Sequence, residues 1–371
     1  MRAAAQRSPS QPAADGELVE ALLGFIAEDG CSEDEFDALA VQIFAHQFAR
    51  CEPYQRFCRG RGVLPRKVRR WQDIPPVPIS AFKEVTLSCA PTALCERVFM
   101  TSGTTRAEIK GRHWHPTLAV YDASMTRNFD ARFMRGDARL SMAILFPDEA
   151  ALPNSSLAHY LSLAAATFGS AESGWYVDPT GIDAAGLRRA LDVAERRGDP
   201  FALLGATSSF VHALDAFMHD GVSFRLPAGS RILDTGGYKR HSRELALEDF
   251  YAALSRTFGV SREQCINMYG MTELSTQFYD DGNALLPSVK SGPHWIRSRT
   301  IDPLTGADVR PGERGVLVHC DLANFNSATS IVTEDVGIVV EGGFHLLGRV
   351  DGAEAKGCSL MVEEFLRTAR Q

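Results

Sequence analysis

Hydroxyl side chains crowd around one glycine in "FMTSGTTRAEIKG" (Phe99–Gly111): Thr101, Ser102, Thr104 and Thr105 flank Gly103, just after a short apolar stretch. Backbone N–H groups and hydroxyls in such a loop can wrap phosphate oxygens. The GxxxxGK[ST] pattern is absent, and an ordinary turn has the same composition. A second cluster, "NMYGMTELSTQ" (Asn267–Gln277), runs a strand-like segment through Tyr269 into Gly270 and then sets Thr272 beside Glu273. A hydroxyl next to a carboxylate at a strand end can hold a phosphate together with its Mg2+. The same residues also suit a strand end followed by a helix cap.

Three shorter stretches add candidates. In "DTGGYKR", Gly236 and Gly237 let a flat ring approach the backbone closely, or close a simple turn. In "IVTEDVG", Asp335 can accept hydrogen bonds from two ribose hydroxyls, or sit exposed in a turn. "GRVDG", Gly348–Gly352, reads as a hinge around Arg349. Beyond it comes Cys358 in "GAEAKGCSL". A thiolate is a strong nucleophile, and Lys356 and Arg349, close in sequence, would favour that form. Equally, Leu360, Met361, Phe365 and Leu366 can make one face of an amphipathic helix in which the cysteine merely packs. His113 and His115 in "GRHWHP" either pack and cap or contact a carboxylate or phosphate.

The elements that must position these residues read as α/β. "ELVEALLGFIAEDG" and "SEDEFDALAVQIFAHQFAR" are helical, the second opened by a Ser32–Glu35 capping box. "IPPVPIS" cannot be regular helix and reads as a stiff connector. From about residue 97, "LSMAILF", "PFALLG", "SRILDTGG" and "QCINMYG" read as strands. "DAAGLRRALDVAERRG" and "SRELALEDFYAALSRTFG" are helices between them. This alternation predicts a mainly parallel sheet flanked by helices, with ligands collecting at the carboxyl ends of its strands. After about residue 310 the texture becomes β-rich. The expected units are a disordered tail (1–16), an N-terminal helical segment (17–73), a main α/β domain (74–347) and a hinge with a short tail (348–371).

The chain has 371 residues, 45% of them hydrophobic, and a formal net charge of -7. An acidic surface argues against nucleic acid or anionic membrane as the main partner. The basic stretch Cys58–Arg70 reads as a solvated face. No apolar run suggests a membrane span, and the N-terminus lacks the apolar core of a signal peptide. Eight cysteines, none in a CxxC pair, predict free thiols in a cytoplasmic protein, all but Cys358 as buried fillers.

The order "TSGTT", "TGG", "YGMTE", "TED", "GRVD" resembles the adenylate-forming superfamily of acyl-CoA synthetases, luciferases and adenylation domains. "FAHQFARCEPYQRFC", "IPPVPISAFKE", "LPNSSLAHYL", "TGGYK" and "GAEAKGCSL" are more narrowly similar to the LuxE family of acyl-protein synthetases, the long-chain-fatty-acid–protein ligases of bacterial luminescence systems. The resemblance implies the N-terminal domain of an adenylate-forming enzyme, with ATP and Mg2+ as cofactors. ATP would be bound by Thr101–Thr105, Gly236, Gly237, Tyr269, Gly270, Thr272, Asp335 and Arg349, with Glu273 on the metal. It implies activation of a carboxylic acid, a fatty acid in that family, followed by transfer to Cys358 as a thioester and delivery to a partner reductase. Superfamily members follow the hinge with a domain that carries a catalytic lysine. Here a short segment follows, and the expectation is that Cys358 stands in that domain's place. Two departures stand out: Arg106 replaces the usual glycine, and Lys110 is offset by one position. The competing expectations are a conventional acid–CoA ligase, similar to phenylacetate–CoA ligase, and a non-catalytic nucleotide-binding scaffold.

Overall fold

The computed structural model describes residues 11–101, 109–178, 180–236 and 245–370. Its centre is a six-stranded sheet. From one edge it runs Phe278–Tyr279, Cys265–Tyr269, Arg231–Thr235, Phe201–Ala206, Ser141–Leu145 and Gly174–Trp175. All neighbours pair in parallel except the first two. Strand residues alternate between two cores, as a period of two requires. Met142, Ile144, Ala202 and Leu204 pack to one side, and Ala143, Leu145, Phe201 and Leu203 to the other. Parallel strands buried on both faces explain the near-continuous apolar runs in the sequence.

The connection after Ser141–Leu145 leads to the edge strand Gly174–Trp175, whereas Phe201–Ala206 returns on the other side of Ser141–Leu145. That reversal is a topological switch point, where α/β sheets open a crevice at their strand ends.

The second sheet is mostly antiparallel: Val289–Lys290, Gly343–Arg349, Ser330–Val340, Arg314–Asp321 and Ile296–Ile301. Val77–Pro78, inside the Pro-rich connector, pairs in parallel with Ser330–Val340. The β-rich region is therefore larger than expected from residue 310 onward. It begins at Val289 and draws on the start of the chain.

Three helices open the described chain: Gln11–Ala27, Glu33–Arg50 and Glu52–Gly60. The first starts inside the stretch expected to be a tail. The Ser32–Glu35 capping box forms as predicted. These helices share one core with the second sheet: Phe36, Phe44, Tyr54 and Phe57 join Trp295, Leu317 and Phe344.

The C-terminal helix, Gly352–Ala369, packs into this core through Phe365, whose ring lies 4.8 Å from that of Phe57. Its buried face is Gly357, Cys358, Met361, Phe365 and Ala369. Leu360, expected on that face, is exposed, because it sits two positions from Cys358 and so turns away. No helix among the described residues is long and apolar enough to cross a membrane.

Candidate active site

A cavity of about 680 Å3 opens at the strand ends beside the switch point. Its lining includes Thr101, Gly236, Gly270 and Thr272 together with the apolar and aromatic side chains of Tyr121, Phe146, Leu157, Tyr160 and Met268. The strand ends deliver these residues: Phe146, Gly236 and Gly270 lie just past the last residue of their strands, and Ala206 is the last residue of its own. Gly236 has φ +77°, and a Cβ there would meet nothing within 4 Å, which leaves the backbone open to the cavity. Thr207 steadies this turn, its hydroxyl lying 3.0 Å from the Gly236 carbonyl and 3.0 Å from Asp234 Oδ2.

Thr101 and Gly111 close the neck of the hydroxyl-rich loop. The Thr101 N–H donates to the Gly111 carbonyl at 3.1 Å, and the Gly111 N–H donates to Thr101 Oγ1 at 2.9 Å. Ser102, Gly103, Thr104, Thr105 and Arg106 lie outside the described residues, as does Gly237. Lys110 lines the cavity.

The Met271–Gln277 segment is a turn, not the start of a helix. Its backbone is held by buried side chains. Asp321 accepts from the N–H groups of Ser275 and Thr276, and Asn324 Nδ2 donates to the Glu273 carbonyl at 2.7 Å. Gln47 ties this arrangement to the N-terminal helices by donating to the Asn324 carbonyl at 2.7 Å.

Glu273 is buried at 4% exposure. Burial, eased by Lys83, lifts its carboxyl to about 7. Its Oε1 lies against Gly111, where a Cβ would come within 3.0 Å. No cation among the described residues is within salt-bridge distance of it. A buried carboxylate with no ion-pair partner among the described residues, beside a loop neck and a threonine hydroxyl, fits Mg2+, which is typically held by one or two carboxylates plus substrate phosphates.

Tyr269 donates to Asp335 Oδ2 at 2.8 Å, and Arg349 Nη1 donates to Asp335 Oδ1 at 3.2 Å. Arg349 also reaches Glu334 at 2.7 Å. Three residues predicted from separate motifs therefore meet. They do so because Ser330–Val340 and Gly343–Arg349 pair with Asp335 opposite Arg349.

Cys358 lies elsewhere. It lines a crevice of about 10 Å3 with Ser80, Val332, Thr333, Glu334 and Met361, room for roughly one water. Burial pushes its thiol up to about 11, with Glu334 and Glu354 adding to the rise and Arg349 opposing it. The net shift is opposite to the expectation: Arg349 acts in the expected direction, but burial, Glu334 and Glu354 outweigh it, and Lys356 is exposed. Cys31 and Cys95 are only partly buried, which corrects their reading as core fillers.

His113 and His115 are buried, which rules out an exposed cap. His113 bonds the Thr272 backbone and Ser327, a partnership that sequence reading missed. Asp321 and Asn324 were missed as well. Their only sequence signal is a polar D-x-x-N run at the end of an apolar strand.

The overall architecture is that of the adenylate-forming ligases. It is similar to 2-hydroxyisobutyryl-CoA ligase in complex with 2-HIB-AMP (TM-score 0.63, 15% identity, covering 93% of this chain and 72% of that one). It is also similar to ATP-bound MatB from Rhodopseudomonas palustris (TM-score 0.50, 16% identity, 70% of this chain and 49% of that one). Within that class, the chain belongs to the LuxE acyl-protein synthetase family, whose model matches residues 27–367. It is 26% identical over 339 residues to the long-chain-fatty-acid–luciferin-component ligase of Vibrio harveyi, covering 88% of this chain and 86% of that protein. The ligase of the same name from Aliivibrio fischeri is 25% identical over 346 residues, covering 89% and 88%.

Proposed function

We propose that the chain activates a carboxylic acid with ATP as an acyl-adenylate and then takes the acyl group onto Cys358 as a thioester for a partner reductase. The cavity carries this reading: its lining combines polar turns that suit a nucleotide with apolar and aromatic side chains that suit an acyl chain. The names of the Vibrio and Aliivibrio relatives support a long-chain fatty acid as the substrate class.

In the first half-reaction the substrate carboxylate attacks the α-phosphorus of ATP, and pyrophosphate leaves. The Thr101–Thr105 loop and the Thr272 hydroxyl donate to phosphate oxygens. Glu273 would hold Mg2+, which neutralises phosphate charge when bound. Gly236 and Gly237 flank the adenine, with Tyr269 and Gly270 behind it. Asp335, aligned by Tyr269 and Arg349, accepts from the ribose. Positioning and charge stabilisation supply the rate.

In the second half-reaction the Cys358 thiol gives its proton to solvent, its thiolate attacks the acyl carbonyl, the acyl C–O bond to the phosphate breaks, and AMP leaves with that oxygen. The thiol lies outside the cavity, so the C-terminal helix must first leave its bed. Gly348 (φ +129°) and Gly352 (φ +48°) bracket the connection and can absorb the backbone change. A second reading, an acid–CoA ligase with a diffusible thiol as acceptor, is favoured by the burial of Cys358.

Intact-protein mass spectrometry after incubation with ATP, Mg2+ and a panel of acids separates the readings. The expected result is a hydroxylamine-labile acyl adduct on the wild type that is missing from Cys358→Ala, while ATP–pyrophosphate exchange persists in both. Exchange without an adduct, with acyl-CoA forming when CoA is added, would transfer the assignment to the ligase.

A further inference from the structure

The short strand Arg112–His115 turns alternate positions towards the Thr272–Glu273 turn. Gly111, just before it, makes room for the Glu273 carboxylate. His113, two residues on, is wholly buried, with Nδ1 3.0 Å from the Thr272 carbonyl oxygen. A carbonyl only accepts, so Nδ1 carries the proton. Nε2 is then the acceptor, and Ser327 Oγ, 3.0 Å away, donates to it. The ring is held in one tautomer from both ends, and burial pushes its pKa down to about 4, so it stays neutral.

The Thr272 carbonyl belongs to the rigid peptide plane that joins Thr272 to Glu273. The next carbonyl, that of Glu273, is held by Asn324. With both planes fixed, the direction in which the Glu273 side chain leaves the backbone is fixed too. Packing alone would not require this chemistry: His113 also sits edge-on to Phe82, with ring centroids 5.8 Å apart, a contact that a phenylalanine could make equally well.

We propose that His113 is a positioning residue for adenylate formation: by holding the Thr272 carbonyl it aims the Thr272 hydroxyl and the Glu273 carboxylate at the phosphate site, without touching substrate itself. The inference rests on the adenylation reading above.

The test compares three variants by ATP–pyrophosphate exchange, with folding followed by thermal melts. In His113→Asn the side-chain amide nitrogen occupies the Nδ1 position and keeps the donor. In His113→Gln the nitrogen sits at the Nε2 position, facing Ser327. His113→Phe keeps the packing and loses both bonds. The expected result is exchange turnover near wild type for His113→Asn, and a loss of about tenfold or more for His113→Gln and His113→Phe, the scale of one misaligned hydrogen-bonded group. The KM for the acid should be unchanged throughout. Equal turnover for His113→Asn and His113→Gln, or undiminished turnover in His113→Phe, would overturn the proposal while leaving the adenylation reading intact. A wild type with no exchange for any acid would sink both.

Discussion

Arg61 and Glu364, 303 residues apart in the chain, meet through two parallel hydrogen bonds, Nε to Oε1 at 2.8 Å and Nη2 to Oε2 at 2.5 Å. A second fork joins Arg314 to Glu354 at 3.0 and 2.9 Å. Arg56 donates to the carbonyl of Ala369, and Arg370 reaches Glu84. The helix that carries Cys358 is thus pinned at both ends by ion pairs over an apolar face. Arg61, which sits in the basic stretch read from sequence as solvated, is one of the pins.

Loosening these pins should expose the thiol. The Arg61–Glu364 pair is partly exposed and contributes about 0.2–1 kcal/mol, and the more exposed Arg314–Glu354 fork adds little, so Arg61→Glu with Arg314→Ala should raise the undocked population by about 2- to 5-fold. Alkylation of Cys358 by iodoacetamide, followed peptide by peptide, should speed up by that factor, and restoring one pair in reverse with Glu364→Arg should recover part of the protection. An unchanged alkylation rate with both pins removed would show that the helix does not leave as a unit.

Glu273 sets opposing demands on stability and chemistry. Its carboxyl is lifted from the ordinary 4.5 to about 7. Below about pH 4.5 it is protonated in both folded and unfolded chains. Between there and about pH 7 the unfolded chain releases a proton that the folded chain keeps. Stability is therefore lost across that window, by about 1.4 kcal/mol per pH unit, and levels off above it. Glu273→Gln should melt higher than wild type at pH 8 and almost equally at pH 4, while adenylation falls about a hundredfold. Parallel melting curves at the two pH values would refute the assignment.

Gly111→Ala tests the neck of the loop. The added methyl would come within 3.0 Å of Glu273 Oε1 and 3.1 Å of Thr101 Cγ2. Both are side-chain atoms that can shift, so the fold should survive with a loss of about 1 kcal/mol. Pyrophosphate exchange should fall by more than that loss implies, because the carboxylate is displaced. Exchange at the wild-type rate would mean that Glu273 works in another orientation.

The parallel sheet was legible because its strands are short, mostly apolar runs, several of them closed by glycine or threonine, and the nearby helices carry clear apolar periodicity. The Tyr269–Asp335–Arg349 meeting was readable only as separate motifs, since the register that joins them is a property of paired strands. Cys358 shows where sequence proximity misleads. Lys356 is two residues away but on another side of the helix, while Glu334, 24 positions earlier, faces the thiol across the crevice. His113 was equally opaque, because a histidine in a short strand carries no mark of the carbonyl it meets far along the chain.

The bed under Cys358 bears on chemical durability. Only the thiolate reacts readily with peroxides and electrophiles, and a group held near 11 is ionised to roughly one part in ten thousand at pH 7. Cys31 and Cys95, both partly accessible, would meet a diffusing oxidant first. A chain resting in this form keeps the Cys358 thiol intact, and exposes it to such reagents only when the helix is displaced.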